Sequence, residues 1–70
     1  MKLSARNTLN GIVKKIVPGA VNAEVVIELS GGDQITSIVT KEAVMSLGLA
    51  EGKPAYAIIK ASNVMIGVDH

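Results

Sequence analysis

The stretch that decides the fold is residues 21–39, which read V-N-A-E-V-V-I-E-L-S-G-G-D-Q-I-T-S-I-V. Residues 21–29 alternate between apolar and polar side chains, as a strand with one buried face does. Residues 30–33, S-G-G-D, supply the glycines that a tight turn needs. Residues 34–39 are rich in β-branched side chains, which suit a pleated surface. The stretch therefore predicts a β-hairpin.

A further strand is predicted before the hairpin, over residues 8–17, because Pro18-Gly19 is a turn signal that ends it. Gly11 interrupts this strand and predicts a bulge or a bend. Within the hairpin, Val26 interrupts the polar face of its strand. We expect a partner subunit to cover it.

A short helix is predicted after the hairpin. Thr40 is suited to cap its N-terminus, and Gly48 is suited to the position just after its C-terminus at about Leu47. A helix this short is not stable alone, so it must pack on the sheet, and Val44 and Leu47 are the expected contacts.

Two more strands are predicted near the end of the chain. One covers residues 55–60 and begins at Pro54, where a missing N–H does least harm. The other covers residues 64–68, in which Val64, Ile66 and Val68 alternate with other residues.

The order of these elements is three strands, one helix and two strands, within a single domain of residues 1–70. This order predicts an all-β protein with one short helix, folded as a small five-stranded OB-type Greek-key barrel. An SH3-like barrel is the competing fold. The helix between the third and fourth strands favours the OB type.

Composition indicates a small core. Of the 70 residues 49% are apolar, but Tyr56 is the one aromatic residue, so the core must come from Val, Ile, Leu, Ala and Met. A core of a chain this short rarely contributes more than about 3–5 kcal/mol. The chain has no cysteine and therefore no disulfide. We therefore expect self-association to supply the stability that the small core and the lack of disulfides do not.

Charge and residue types exclude several functions. A net charge of +1 gives no broad attraction to nucleic acid or anionic lipid, and no apolar run approaches the length of a membrane span. The start of the sequence does not resemble a signal peptide, so we expect a cytoplasmic protein. With no cysteine and a single histidine, His70 at the terminus, neither catalysis nor a metal site is expected.

Two polar clusters at opposite ends of the chain remain to be explained. The N-terminal quartet comprises Ser4, Ala5, Arg6 and Asn7, and the C-terminal quartet comprises Lys60, Ala61, Ser62 and Asn63. Each combines a cation, a hydroxyl, an amide and a small residue that lets backbone N–H groups approach a ligand. Charge-assisted hydrogen bonds from several directions suit a small tetrahedral oxyanion. We expect the quartets to meet within one subunit or, more readily, across a subunit boundary.

Three other interpretations stay open from the residues alone. The cations and hydroxyls are also compatible with ordinary solvated surface positions. An OB-type barrel can also be a nucleic-acid-binding module, but that function needs a basic groove and stacked aromatics, which this chain lacks. A purely structural assembly module is a third possibility.

Several separated blocks of this sequence resemble the molbindin family, also known as the Mop domain. They are S-A-R-N at residues 4–7 with Leu9 and Gly11, V-N-A-E-V at 21–25, I-T-S-I-V-T at 35–40, L-G-L at 47–49 and K-A-S-N-V-M-I at 60–66. The blocks span almost the whole chain in the family's order. Thr8, where the family often has Gln, and Ala43, where Ser is frequent, are minor departures.

The resemblance implies a cytoplasmic protein that binds and stores molybdate or tungstate in an OB-type barrel. It further implies a homo-oligomer, a hexamer built as a trimer of dimers, with oxyanions bound at subunit interfaces and no nucleic-acid or membrane partner. By the resemblance, one class of site would use Ser4, Ala5, Arg6, Lys60, Ala61 and Ser62. A second class, near the three-fold axes, would use Val21, Asn22 and Ala23.

Overall fold

The computed structural model describes residues 1–69, so His70, for which a terminal position without function was expected, lies outside the described residues. In chain order the elements are β1 (Asn7–Pro18), β2 (Asn22–Leu29), β3 (Gln34–Thr40), the helix α1 (Lys41–Ser46), β4 (Pro54–Ile59) and a 3₁₀ turn (Ala61–Asn63). The four strands form one antiparallel sheet in the order β3-β2-β1-β4. The hairpin predicted from residues 21–39 is confirmed as β2 and β3.

β1 is long because it serves two neighbours. Its first half pairs with β4, from Asn7 opposite Ile59, and its second half pairs with β2, as far as Pro18 opposite Ala23. This change of partner curls the sheet into a half-barrel.

The irregularity of β1 lies further along the strand than the sequence predicts. The register with β2 shifts between Val13 and Lys15, so the bulge is at Lys14 and not at Gly11. The extra residue lets Val13 and Ile16 both face inward, although two lysines separate them. Gly11 has another role, because a Cβ there would collide with the Ile27 side chain and lie 2.8 Å from the Glu28 carbonyl oxygen.

The core is small and aliphatic, as composition predicted. Its buried cluster comprises Val13, Val25, Ile27 and Ala57. Methionine does not contribute, because Met45 and Met65 are 81% and 93% exposed. The expectation that a partner covers Val26 is also wrong: this side chain is 5% exposed within the single chain, between its cross-strand neighbours Lys15 and Thr36.

The caps of α1 are those that the sequence predicted. The Thr40 hydroxyl accepts a hydrogen bond from the Ala43 N–H at 3.0 Å, and Gly48 follows the helix with a positive φ of 65°. Of the two residues predicted to pack α1 against the sheet, one does so. Val44 packs against the core cluster, but Leu47 is 69% exposed and Leu49, beyond the cap, packs in its place.

The predicted fifth strand is not present, so the sheet has four strands instead of five and does not close into a barrel. Residues 64–68 follow the 3₁₀ turn without any strand pairing. Met65, Ile66 and Val68 are 93%, 87% and 85% exposed. A strand needs a neighbour with free backbone groups, and within one chain this segment has none beside it. Among residues 1–69, no helix is long and apolar enough to cross a membrane.

Candidate oxyanion-binding site

The two quartets are brought together by the pairing of β1 with β4. These strands are antiparallel, and the first residue of β1, Asn7, lies opposite the last residue of β4, Ile59. The residues just before β1 and just after β4 must therefore emerge side by side at the same end of the sheet. Arg6 and Lys60 are those residues. The quartets thus meet within one chain, the first of the two arrangements considered from the sequence.

All six residues proposed for the main site line one open pocket of about 690 Å³. The pocket is lined by Ser4, Ala5, Arg6, Ile58, Lys60, Ala61, Ser62 and Asn63. None of these lining residues, all within the described chain, is acidic. The one salt bridge among residues 1–69 joins Lys14 to Glu28, so no carboxylate neutralises either cation of the pocket. The pocket therefore concentrates positive charge.

The 3₁₀ turn leaves backbone donors available at the pocket. Its first internal hydrogen bond runs from the Asn63 N–H to the Lys60 carbonyl oxygen at 2.9 Å. The N–H groups of Ala61 and Ser62 come earlier in the turn and therefore make no bond within it. Together with the guanidinium, the ammonium and two hydroxyls, they provide the donor-rich, acceptor-poor surface that an intact oxyanion requires.

In a single chain the pocket is wide and open to solvent. Arg6, Lys60 and Ser62 are all exposed. A liquid water occupies about 30 Å³, so a four-oxygen anion would fill a small part of about 690 Å³. Charges in contact with water attract weakly compared with charges in an enclosed site. Strong binding there requires a second surface that narrows the pocket.

The residues suggested for a second site lie elsewhere. Val21 is 71% exposed in the turn between β1 and β2, Asn22 is exposed at the start of β2, and Ala23 is buried at 3%. The Val21 carbonyl oxygen accepts a hydrogen bond from the Lys41 N–H at 2.9 Å, which places this turn beside the start of α1. The structure therefore does not bring these three residues to the pocket of the quartets.

Sequence reasoning missed Ile58, the one large apolar residue that lines the pocket. The alternation of β4 contains the signal that would have found it. Ala55, Ala57 and Ile59 form the face that packs inward, so Ile58 has to point outward, next to Lys60.

The structure also weighs against nucleic-acid binding. Tyr56, the one aromatic residue, is 56% exposed, but it lines a different cavity of about 640 Å³ together with Glu28 and Ser30. A groove for single strands needs cations and stacking platforms along the same path. Here the aromatic ring lines a cavity with a carboxylate, and Arg6 and Lys60 line the other pocket.

The fold and the pocket define a small β-sheet protein with a cationic, carboxylate-free pocket at one end of its sheet. The model of the TOBE domain matches residues 3–66, and the chain therefore belongs to the TOBE domain family. A probable molybdenum-pterin-binding protein of Haemophilus influenzae is 54% identical over 69 residues, which cover 99% of this chain and 100% of that protein. The resemblance to the Mop proteins is thereby confirmed.

Solved structures agree in fold along nearly the whole chain. MopII from Clostridium pasteurianum, in an apo form, is 45% identical and superimposes with a TM-score of 0.90, covering 96% of this chain and all of that one. The cytoplasmic molybdate-binding protein ModG, solved with molybdate bound, is 63% identical with a TM-score of 0.93. The match covers 97% of this chain and 48% of ModG, so this chain corresponds to about half of ModG.

Proposed function

We propose that this protein binds molybdate as the intact oxyanion, in the pocket between the two quartets. One observation carries the proposal: chain ends that are more than fifty residues apart in sequence supply Arg6 and Lys60 to one pocket without a carboxylate. The molybdate-bound ModG structure and the molybdenum-pterin-binding relatives support molybdenum in this chemical form. Tungstate has the same charge and shape and would bind in the same way.

Each group of the pocket has a distinct task in this proposal. Arg6 offers a planar fork of donors, and Lys60 offers a compact charge. The hydroxyls of Ser4 and Ser62 and the N–H groups of Ala5 and Ala61 complete the tetrahedral set of donors. Hydrogen bonds leave the oxyanion intact and its binding reversible, which suits storage or homeostasis of molybdate in the cytoplasm.

The same proposal requires several copies of the chain. The pocket is too open to hold a small anion tightly, and the exposed segment of residues 64–68 carries an alternating apolar pattern without a strand partner. The outer edges of β3 and β4 are both unpaired in this sheet order, and an edge strand readily accepts another strand. Residues 64–68 of a second copy would lie along such an edge and complete an OB-type barrel.

We further propose that the assembly is a hexamer, a trimer of dimers, in which copies of the chain narrow the pockets. Under this arrangement a ligand that binds the assembled form alone also stabilises it by mass action. The residues Val21, Asn22 and Ala23, at the turn before β2 and the start of that strand, remain the proposed second class of site. Val21 and Asn22 are exposed and so are accessible to other subunits, whereas Ala23 is buried.

Calorimetric titration with molybdate tests the main site. We expect Arg6→Ala and Lys60→Ala each to weaken binding by about tenfold to a hundredfold, the range for hydrogen bonds to charged groups. Lys15→Ala is a matched control, because this lysine is also exposed but lies on β1 and does not line the pocket. Unchanged affinity in both pocket variants would remove the proposed site. Parallel titrations with tungstate and sulfate measure the selectivity.

A further inference from the structure

We propose that Asn7 is a positioning residue for the oxyanion pocket, an inference that rests on the proposed function. Its side chain fastens the end of β1 to the end of β4. By doing so it holds Arg6 and Lys60 at the separation at which both can reach one anion. The amide of the N-terminal quartet thus acts through its neighbours and does not need to touch the ligand.

A side-chain hydrogen bond joins the ends of β1 and β4 next to the pocket. The Asn7 Nδ2 atom donates a hydrogen bond to the Ile59 carbonyl oxygen at 3.2 Å, and this side chain is partly buried. Asn7 and Ile59 are also the outermost pair in the register of β1 with β4. Arg6 precedes this pair on one strand, and Lys60 follows it on the other. The hydrogen bond is therefore one residue away from each cation.

Asn7 and Ile59 are the last hydrogen-bonded pair between the two segments among residues 1–69. Within the described chain, no hydrogen bond joins residues 1–6 to residues 60–69. The terminal pair of a strand ladder frays readily, because it has a paired neighbour on one side alone. Arg6 and Lys60 also repel each other when no anion lies between them. A side-chain hydrogen bond at this place opposes both effects, and so keeps the empty pocket close to its binding geometry.

The residue type fits this task. The bond at Ile59 needs a donor, because a carbonyl oxygen can only accept. Asparagine supplies an N–H donor on a short side chain with few rotatable bonds. Aspartate has the same shape, but its ionised form can only accept, and it would place a negative charge beside the anion.

The first test is calorimetry with molybdate on the full chain. Asn7→Ala should weaken binding by about threefold to tenfold, the equivalent of one ordinary hydrogen bond. Asn7→Asp keeps the side-chain shape, and we expect a larger loss because of the added charge. Asn10→Ala is the matched control, because Asn10 lies on the same strand, is exposed and lines the other cavity. Wild-type affinity in both Asn7 variants would overturn the inference.

A double-mutant cycle separates positioning from a general contribution to stability. If Asn7 acts by placing Lys60, Asn7→Ala should cost clearly less affinity in a Lys60→Ala background than in the wild type. Additive losses would overturn the inference, since they would mean that Asn7 acts independently of Lys60. A wild-type chain that does not bind molybdate would instead contradict the proposed function, so the two failures are distinguishable.

Discussion

Lys14, the residue at the bulge of β1, forms an ion pair with Glu28 of β2. The Lys14 Nζ and Glu28 Oε2 atoms are 3.0 Å apart. Hydrogen bonding and charge from Lys14, and then a hydrogen bond from Gln34, hold the pKa of the Glu28 carboxyl below its ordinary value. Both side chains of the pair remain about half exposed, so water screens their attraction and the pair adds little to stability.

Lys14 is the main cause of the lowered pKa of Glu28, so Lys14→Ala should raise this pKa towards its ordinary value. The lowered pKa means that the pair stabilises the fold at pH values above the pKa of Glu28 in the unfolded chain. That contribution disappears as the pH falls through the lower pKa of the folded chain. An NMR pH titration of the Glu28 carboxyl in Lys14→Ala measures the change. Lys15→Ala is the control, and an equal pKa in Lys14→Ala and the wild type would refute the assignment.

Single residues of the candidate site were predictable to different degrees. Arg6, Lys60 and the two serines stand out because cations and hydroxyls recur in two short clusters, and the antiparallel order of strands lets distant clusters meet. The hydrogen bond from Asn7 to the Ile59 carbonyl oxygen was not predictable, because a sequence does not reveal which carbonyl group a side chain reaches. Ile58 was overlooked because an apolar residue in a strand is first assigned to the core.

Among the elements, β1 and β2 leave no room for a side chain at Gly11. A Cβ at this position would lie 2.8 Å from the Glu28 carbonyl oxygen, and it would also meet the Ile27 side chain. The backbone of β2 cannot move away without disturbing its pairing with β3 on the other side. Glycine is therefore needed here for space and not for an unusual φ angle.

Gly11→Ala should consequently lower the free energy of unfolding by about 1–3 kcal/mol, the usual effect of overpacking a fitted site. Chemical denaturation followed by circular dichroism measures this change. Gly31→Ala is the matched control, because a Cβ at Gly31 meets nothing within 4 Å. Equal stability of Gly11→Ala and the wild type would show that the strands separate without strain.

Element types were more predictable than element partners. The hairpin of β2 and β3 and the caps of α1 depend on local signals such as Gly31, Gly32 and Thr40, and all were confirmed. The bulge lies at Lys14 and not at the predicted Gly11, because pairing with the neighbouring strand decides which residues of β1 face inward. Residues 64–68 have the alternation of a strand, but alternation cannot say which chain provides the neighbour.

The single chain is less compact than a typical globular domain of the same length. Its radius of gyration is 13.0 Å, whereas about 11 Å is typical for a compact chain of 70 residues. The buried cluster contains four side chains, and large apolar residues such as Ile66 lie in water. Burial of apolar surface is the main favourable term in folding, so this exposed surface favours association with further copies.

Substitutions in residues 64–68 test whether this segment joins copies of the chain in the proposed assembly. If Val64, Ile66 and Val68 face the core of a neighbouring copy, Ile66→Asp places a charge there, and the particle mass should fall towards that of one chain. Multi-angle light scattering at micromolar concentration measures the mass. Met65→Asp is the matched control, because Met65 has the opposite orientation in an extended segment and should tolerate the charge better. A monomeric wild type, or an Ile66→Asp variant with the wild-type mass, would contradict assembly through this segment.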